Sequence, residues 1–126
     1  MAHPWFSSAL DWHAHLDDAL AYAGGAGKRL MLVVGRATCA GTRALVERTL
    51  AKEELEEFVR EKFALVVADA DALEPRVREL FDTLGTKAPT PVIVYLAADA
   101  RVLASTAGGR PPAVLLNDML NATTRK

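Results

Sequence analysis

Apolar residues along this chain follow two rhythms, steps of three and four and short unbroken runs. After Ser7 and Ser8, apolar positions recur at Trp12, Leu16, Ala19, Leu20 and Ala23, which places them on one face of a helix. Ser8 is positioned to cap that helix, Asp11 brings negative charge to its first turn, and Gly24, Gly25 and Gly27 stop it. Residues 30–34 then form an apolar run ended by Gly35, the pattern of a strand buried on both faces. Such runs favour a parallel sheet covered by helices. Thr38 opens a second predicted helix, with Leu45, Leu50, Leu55, Phe58 and Val59 facing inward. A break is expected around Ala51 and Lys52, because Glu53, Glu54, Glu56 and Glu57 resemble the acidic first turns of a new segment.

Residues 63–68 form a further apolar run closing at Asp69, a second parallel strand reached through a right-handed crossover. Val77, Leu80, Phe81 and Leu84 make a third helical stripe, with Gly85 at its expected stop. Residues 91–96 read as a strand, Pro91 being tolerable only at its first position. A polar turn over residues 96–101 leads to a hairpin partner at residues 102–106. Pro111 and Pro112 suit the start of a last helix with Leu115, Leu116, Met119 and Leu120 on one side. The order α-β-α-β-α-β-β-α predicts an α/β sandwich, a mixed central sheet with helices on both faces.

Composition narrows the class. The 126 residues are 51% apolar and 25% charged, and no repeat or linker interrupts them, so residues 1–126 are expected to form one domain. The 15 basic and 16 acidic side chains leave a net charge of −1, which argues against nucleic acid and against a membrane surface as partners. No apolar run approaches the roughly 20 residues that span a bilayer. Residues 1–8 lack the cationic and apolar stretches of a secretory signal. One cysteine, Cys39, excludes an intrachain disulfide and a cysteine-cluster metal site, so a reducing, cytoplasmic location is the expectation.

That cysteine falls where chemistry gathers in α/β sheets, beyond the carboxyl end of a strand. Residues 35–37 lead into Thr38-Cys39-Ala40-Gly41-Thr42, where the next helix begins. A thiol in a first helical turn meets unpaired N–H groups and the positive end of the dipole, and both favour thiolate. Arg36 and Arg43 flank it, no acid occurs between Gly35 and Val46, and Thr42 is spaced to offer its hydroxyl to the sulfur. The plainer alternative is an inert, buried Cys39 with Thr42 packing at a helix start.

With these residues in place, the chain resembles the thioredoxin-like superfamily, closest to small members that begin with a Trp-bearing helix. Trp12 precedes Asp17-Asp18-Ala19-Leu20 and Lys28-Arg29, Cys39 matches the first cysteine of the C-x-x-C motif, and Asp69 matches a strand-end aspartate. Thr90-Pro91-Val92-Ile93-Val94-Tyr95-Leu96 matches the segment that carries the cis-proline, Ala97-Ala98-Asp99-Ala100-Arg101 the following turn, and Gly108-Gly109 the end of the last strand. The likeness runs from about Trp12 to about Leu120. It implies a three-layer sandwich, Cys39 as nucleophile, and a cis Thr90–Pro91 bond beside it that presents a backbone edge to an extended substrate segment. Pro89 is the alternative for the special proline, though the spacing to Asp99 favours Pro91.

Three departures shape the expected function. Thr42 replaces the second cysteine, giving C-x-x-T; Thr38 stands where an aromatic residue is usual; and residues 30–34 hold no carboxylate to assist a resolving thiol. Dithiol reduction within one chain is therefore unavailable. One thiol still supports mixed-disulfide exchange with protein thiols or a low-molecular-weight thiol, disulfide isomerisation, or oxidation to sulfenic acid. In that reading Cys39 is the nucleophile, Thr42 and the amides near Ala40 and Gly41 steady the thiolate, and Thr90 and Pro91 wall the substrate side. Arg36 or Arg43 is then placed to hold an anionic thiol such as glutathione. The other reading is an interaction module that kept the fold and lost the chemistry. No cofactor or metal is expected. His13 and His15 lie on different helical faces, Asp69 and Asp71 fit a turn cap better than a cation, and the Glu53 to Glu57 cluster is a solvated face.

Overall fold

The computed structural model describes residues 10–36, 38–84, 90–108 and 111–124. Ser7, Ser8, Ala37, Gly85, Pro89 and Gly109, each given a place above, lie outside the described residues. The elements are β1 (Trp12–His13), α1 (Leu16–Ala26), β2 (Arg29–Gly35), α2 (Ala40–Ala44) continuing into a π-helical turn (Leu45–Thr49), and α3 (Glu53–Lys62). They are followed by β3 (Phe63–Asp69), α4 (Pro75–Leu84), β4 (Val92–Leu96), β5 (Val102–Ala107) and α5 (Pro112–Thr124). One sheet runs in the order β1-β3-β2-β4-β5. β3 lies parallel to β1 and β2, whereas β4 is antiparallel to β2 and β5.

The unbroken apolar runs are explained by cover on both faces. From β2, Met31 and Val33 join Leu65, Val67, Ile93 and Tyr95 on the face covered by Leu50, Leu55, Val59, Leu115 and Met119. Leu30, Leu32 and Val34 turn the other way, joining Val66, Val92 and Val94 beneath Leu16, Ala19 and Leu20 of α1 and Val77 of α4. Successive strand residues alternate faces, so a central strand with two dry faces has no position left for a polar side chain. Burying each such Leu or Val contributes roughly 1.5–3 kcal/mol. β2 is therefore a rigid floor, and its carboxyl end is the platform that carries Cys39.

The amino-terminal expectation needs correction. Trp12 is not on a helix: it lies in β1, opposite Leu65 of β3, and α1 begins only at Leu16. Trp12 stands four positions before Leu16, so helical spacing alone could not separate the strand residue from the helix that follows. The start of α1 is fixed from far away, since the Leu16 N–H donates to Glu74 Oε1 at 2.9 Å. Gly24 and Gly25 continue α1 rather than stopping it; Gly27, at φ 67°, takes the left-handed conformation that ends it. The second helix starts at Ala40, two residues later than Thr38, with Cys39 as its extended N-cap residue. The expected break falls between Thr49 and Glu53. On α5, Leu115, Met119 and Ala122 are buried, whereas Leu120 is 44% exposed and does not belong to the inner face.

Candidate functional site

β2 delivers the chain to the site under tight control. Gly35 pairs with Asp69, its carbonyl accepts the Ala70 N–H at 2.8 Å, and the Cys39 N–H then donates to the Arg36 carbonyl at 3.0 Å. This turn sets Cys39 at the N-cap of α2, where its carbonyl accepts the Arg43 N–H at 3.1 Å. The sulfur is half-buried and faces the start of β4. There the Thr90–Pro91 peptide bond is cis. The Thr90 hydroxyl donates to Cys39 Sγ at 3.2 Å, and the thiol in turn donates to the Thr90 carbonyl at 3.6 Å. Gly41 permits the close approach: a Cβ on it would lie 3.3 Å from Pro91 Cδ and 3.8 Å from Cys39 Sγ.

Thr42 is fully buried against β2, and its Oγ1 accepts the Arg36 N–H at 3.4 Å. Hydrogen bonding lowers the Cys39 thiol to about 7, first from the Thr42 hydroxyl, then the Thr90 hydroxyl, then the Thr42 and Gly41 N–H groups, with burial opposing. Donors that meet a sulfur strengthen its charged form. The two protonation states thus differ in one partner, the Thr90 carbonyl. The thiol gives its proton toward the Thr90 carbonyl; the thiolate collects hydroxyl and amide donors.

The cause differs from the one the flanking charges predict. Arg36 Nε is paired with Asp71 at 3.0 Å, and Arg43 with Glu47 at 3.1 Å, so each guanidinium is offset by a carboxylate. Neutral hydroxyls lead instead. Thr90, expected only as a wall, is a direct hydrogen-bond partner of the sulfur. The signal available in the sequence was its hydroxyl immediately before Pro91. Asp69 caps the turn after β3 by accepting the Asp71 N–H at 2.9 Å. His13 stacks on Tyr22 with ring centroids 5.3 Å apart, and His15 pairs with Glu74 at 3.1 Å, so the two histidines serve separate contacts. Beside the thiol lies a small uncharged cleft of about 120 Å³ lined by Gly41, Ala44, Leu45, Thr49, Pro91, Ile93 and Gly108. A larger cavity of about 450 Å³, bordered by Trp12, Lys28, Arg60 and Phe63, opens at the opposite end of the sheet.

Comparison with known proteins agrees with this fold. A family model described as thioredoxin-like matches residues 11–98. The fold is similar to a thioredoxin from Thermus thermophilus at 21% identity and a TM-score of 0.75, covering 92% of this chain and 88% of that one. It is similar to a disulphide isomerase from Xylella fastidiosa at 22% identity and a TM-score of 0.61, covering 93% and 91% of the two chains. A poplar thioredoxin h matches at 17% identity and a TM-score of 0.64, over 88% of this chain and 96% of that one. No curated protein matches by sequence.

Proposed function

Since the chain belongs to the thioredoxin-like family, we propose that Cys39 is the single nucleophile of a thiol–disulfide exchange site. The hydrogen bonding of its sulfur by Thr42 and Thr90 carries this reading, because the same donors that lower the thiol to about 7 keep a reactive fraction of thiolate near neutral pH. The thiolate attacks one sulfur of a substrate disulfide. A Cys39–substrate disulfide forms, the substrate S–S bond breaks, and the departing thiolate takes a proton from water. A second thiol, from the substrate or from a low-molecular-weight pool, then attacks the mixed disulfide and returns Cys39 as thiolate. Thr42 occupies the place from which a resolving cysteine would act, so resolution comes from outside the chain.

Pro91 and Thr90 form the wall beside the sulfur, and Gly41 lets a substrate backbone approach it. Arg36 and Arg43 are already paired with Asp71 and Glu47, so an anionic tripeptide thiol gains little from them. Protein disulfides are the substrates that this uncharged surface favours. That choice is supported by the disulphide isomerase among the structural neighbours. The same thiolate is the form that peroxide oxidises to sulfenic acid, so a redox-sensing role uses the same residues.

The test is the rate of Cys39 alkylation against pH, followed by mass spectrometry after mixing with an unfolded protein disulfide. A midpoint near 7 and a mixed disulfide at Cys39 are expected. A midpoint at the free-thiol value of about 8.5, with no adduct, hands the chain to the interaction-module reading.

A further inference from the structure

Gly35 and Thr42 compete for one space. Gly35 ends β2 and is held firmly, by its pairing with Asp69 and by the Ala70 N–H on its carbonyl. A Cβ built on it would overlap Thr42 Cγ2 and stand 2.5 Å from Thr42 Oγ1 and 3.0 Å from Thr42 Cβ. Gly27 and Gly108 are the described glycines with positive φ, so Gly35 is not needed for a left-handed backbone. What it supplies is room.

Thr42 is clasped on two sides. Its methyl lies over the bare Cα of Gly35, and its oxygen accepts the Arg36 N–H at 3.4 Å. A threonine hydroxyl has one proton and two lone pairs, so an amide on the oxygen leaves the proton free to point elsewhere. A β-branched side chain is stiff at χ1, and whichever well its neighbours permit decides that direction.

We propose that Gly35 is a positioning residue for the thiol: its bare Cα seats the Thr42 side chain and, with the Arg36 amide, aims the Thr42 hydroxyl at Cys39 Sγ. This rests on the reading that the Thr42 hydroxyl steadies the Cys39 thiolate during exchange. Any side chain at position 35 turns Thr42 out of its well or lifts the start of α2 from β2. Either movement takes the hydroxyl from the sulfur without touching the sulfur itself.

The experiment measures alkylation by neutral iodoacetamide against pH, with circular dichroism as the check on folding, for the wild type, Thr42→Val, Thr42→Ser, Gly35→Ala and Gly35→Ala/Thr42→Val. Thr42→Val removes the hydroxyl and raises the midpoint, which sets the full span. Gly35→Ala covers roughly half of that span or more, slowing alkylation on the acid side of the midpoint about three- to tenfold, because the rate there follows the thiolate fraction. The double variant rises no further than Thr42→Val, the hydroxyl being already gone. Thr42→Ser keeps the hydroxyl but loses the methyl that sits on Gly35, and falls between wild type and Thr42→Val.

A folded Gly35→Ala with the wild-type midpoint, beside a raised Thr42→Val, overturns the proposal and leaves the exchange reading standing. So does a double variant that rises well beyond Thr42→Val, since Gly35 then acts by another route. A Thr42→Val midpoint equal to wild type overturns the proposal together with the role of Thr42. If Gly35→Ala does not fold, Thr42→Ser decides: an intermediate midpoint supports the seat, and a wild-type midpoint overturns it.

Discussion

Two polar clusters join parts of the chain that are far apart in sequence. At the carboxyl end of β2, Cys39 meets Thr90 across 51 positions. At the start of α1, Leu16 and His15 meet Glu74 of the segment before α4, and Asp17 meets Arg76 across 59 positions. The first cluster is made of a thiol, hydroxyls and amides, with Thr42 fully buried. The second is charged and wet, its Arg76 and Asp17 side chains 50% and 71% exposed. Water competes for its ion pairs, so an exposed pair there is worth about 0–1 kcal/mol, whereas the Leu16 N–H bond to Glu74 is partly shielded. In the first, water is partly excluded and each donor acts on one atom whose charge state decides reactivity. Chain-spanning contacts of similar length thus do different work: one acts on the ionisation of a thiol, the other holds a helix in place.

The sharpest way to test that contrast is Thr42→Cys. Residues at i and i+3 of a helix bring their Cβ atoms to about 5–6 Å, and a small adjustment reaches disulfide range. The variant is expected to lose two thiols under mild oxidation, read by mass spectrometry, and to gain modest dithiol reductase activity. Activity stays modest because residues 30–34 carry no carboxylate. Two surviving thiols under those conditions mean that Cys39 and position 42 do not face one another.

Next in size is a pH effect on stability. The folded thiol sits at about 7, below the unfolded value of about 8.5. Between those values the unfolded chain binds more protons, so stability rises with pH. The increment is fully present above the unfolded value and lost as pH falls through about 7. Urea midpoints of wild type and Cys39→Ser, compared at about pH 6 and about pH 9, should diverge in favour of the wild type at the higher pH. A constant difference contradicts the lowered thiol.

The charged cluster supplies the smaller effects. Glu74→Ala removes the acceptor of the Leu16 N–H and is expected to cost about 0.5–2 kcal/mol, as loss of a helix cap does. Arg76→Ala should cost less than about 1 kcal/mol. Urea denaturation ranks the two. If Arg76→Ala proves the more damaging, the ion pair rather than the cap secures α1.

Much of this was readable from the residues. The runs at 30–34 and 63–68 gave buried strands because a strand covered on both faces admits only apolar side chains, and helical stripes gave α3, α4 and α5. Trp12 was misplaced because its spacing to Leu16 fits a helix, while its true partner is Leu65, a contact between distant positions that periodicity does not encode. The same limit governs the site. Cys39 and Thr42 are local, so their meeting could be expected, but Glu47 and Asp71 neutralise the arginines through side-chain placement that spacing does not reveal. Gly35 looked like the end of a strand, and only the fold brings it beneath Thr42.

The pairing of Arg36 with Asp71 and of Arg43 with Glu47 has a consequence for where this thiol keeps its reactivity. Ionic strength weakens attraction between exposed charges, with a screening length of about 8 Å at physiological salt. A cysteine activated by neighbouring cations would lose thiolate as salt rises. Here the Thr90 hydroxyl meets the sulfur at 3.2 Å, and the other donors that lower the thiol, the Thr42 hydroxyl and two amides, are equally neutral and give dissolved ions little to screen. The alkylation midpoint of Cys39 is therefore set to stay constant from dilute buffer to concentrated salt, so the same thiolate fraction persists in media of very different ionic composition.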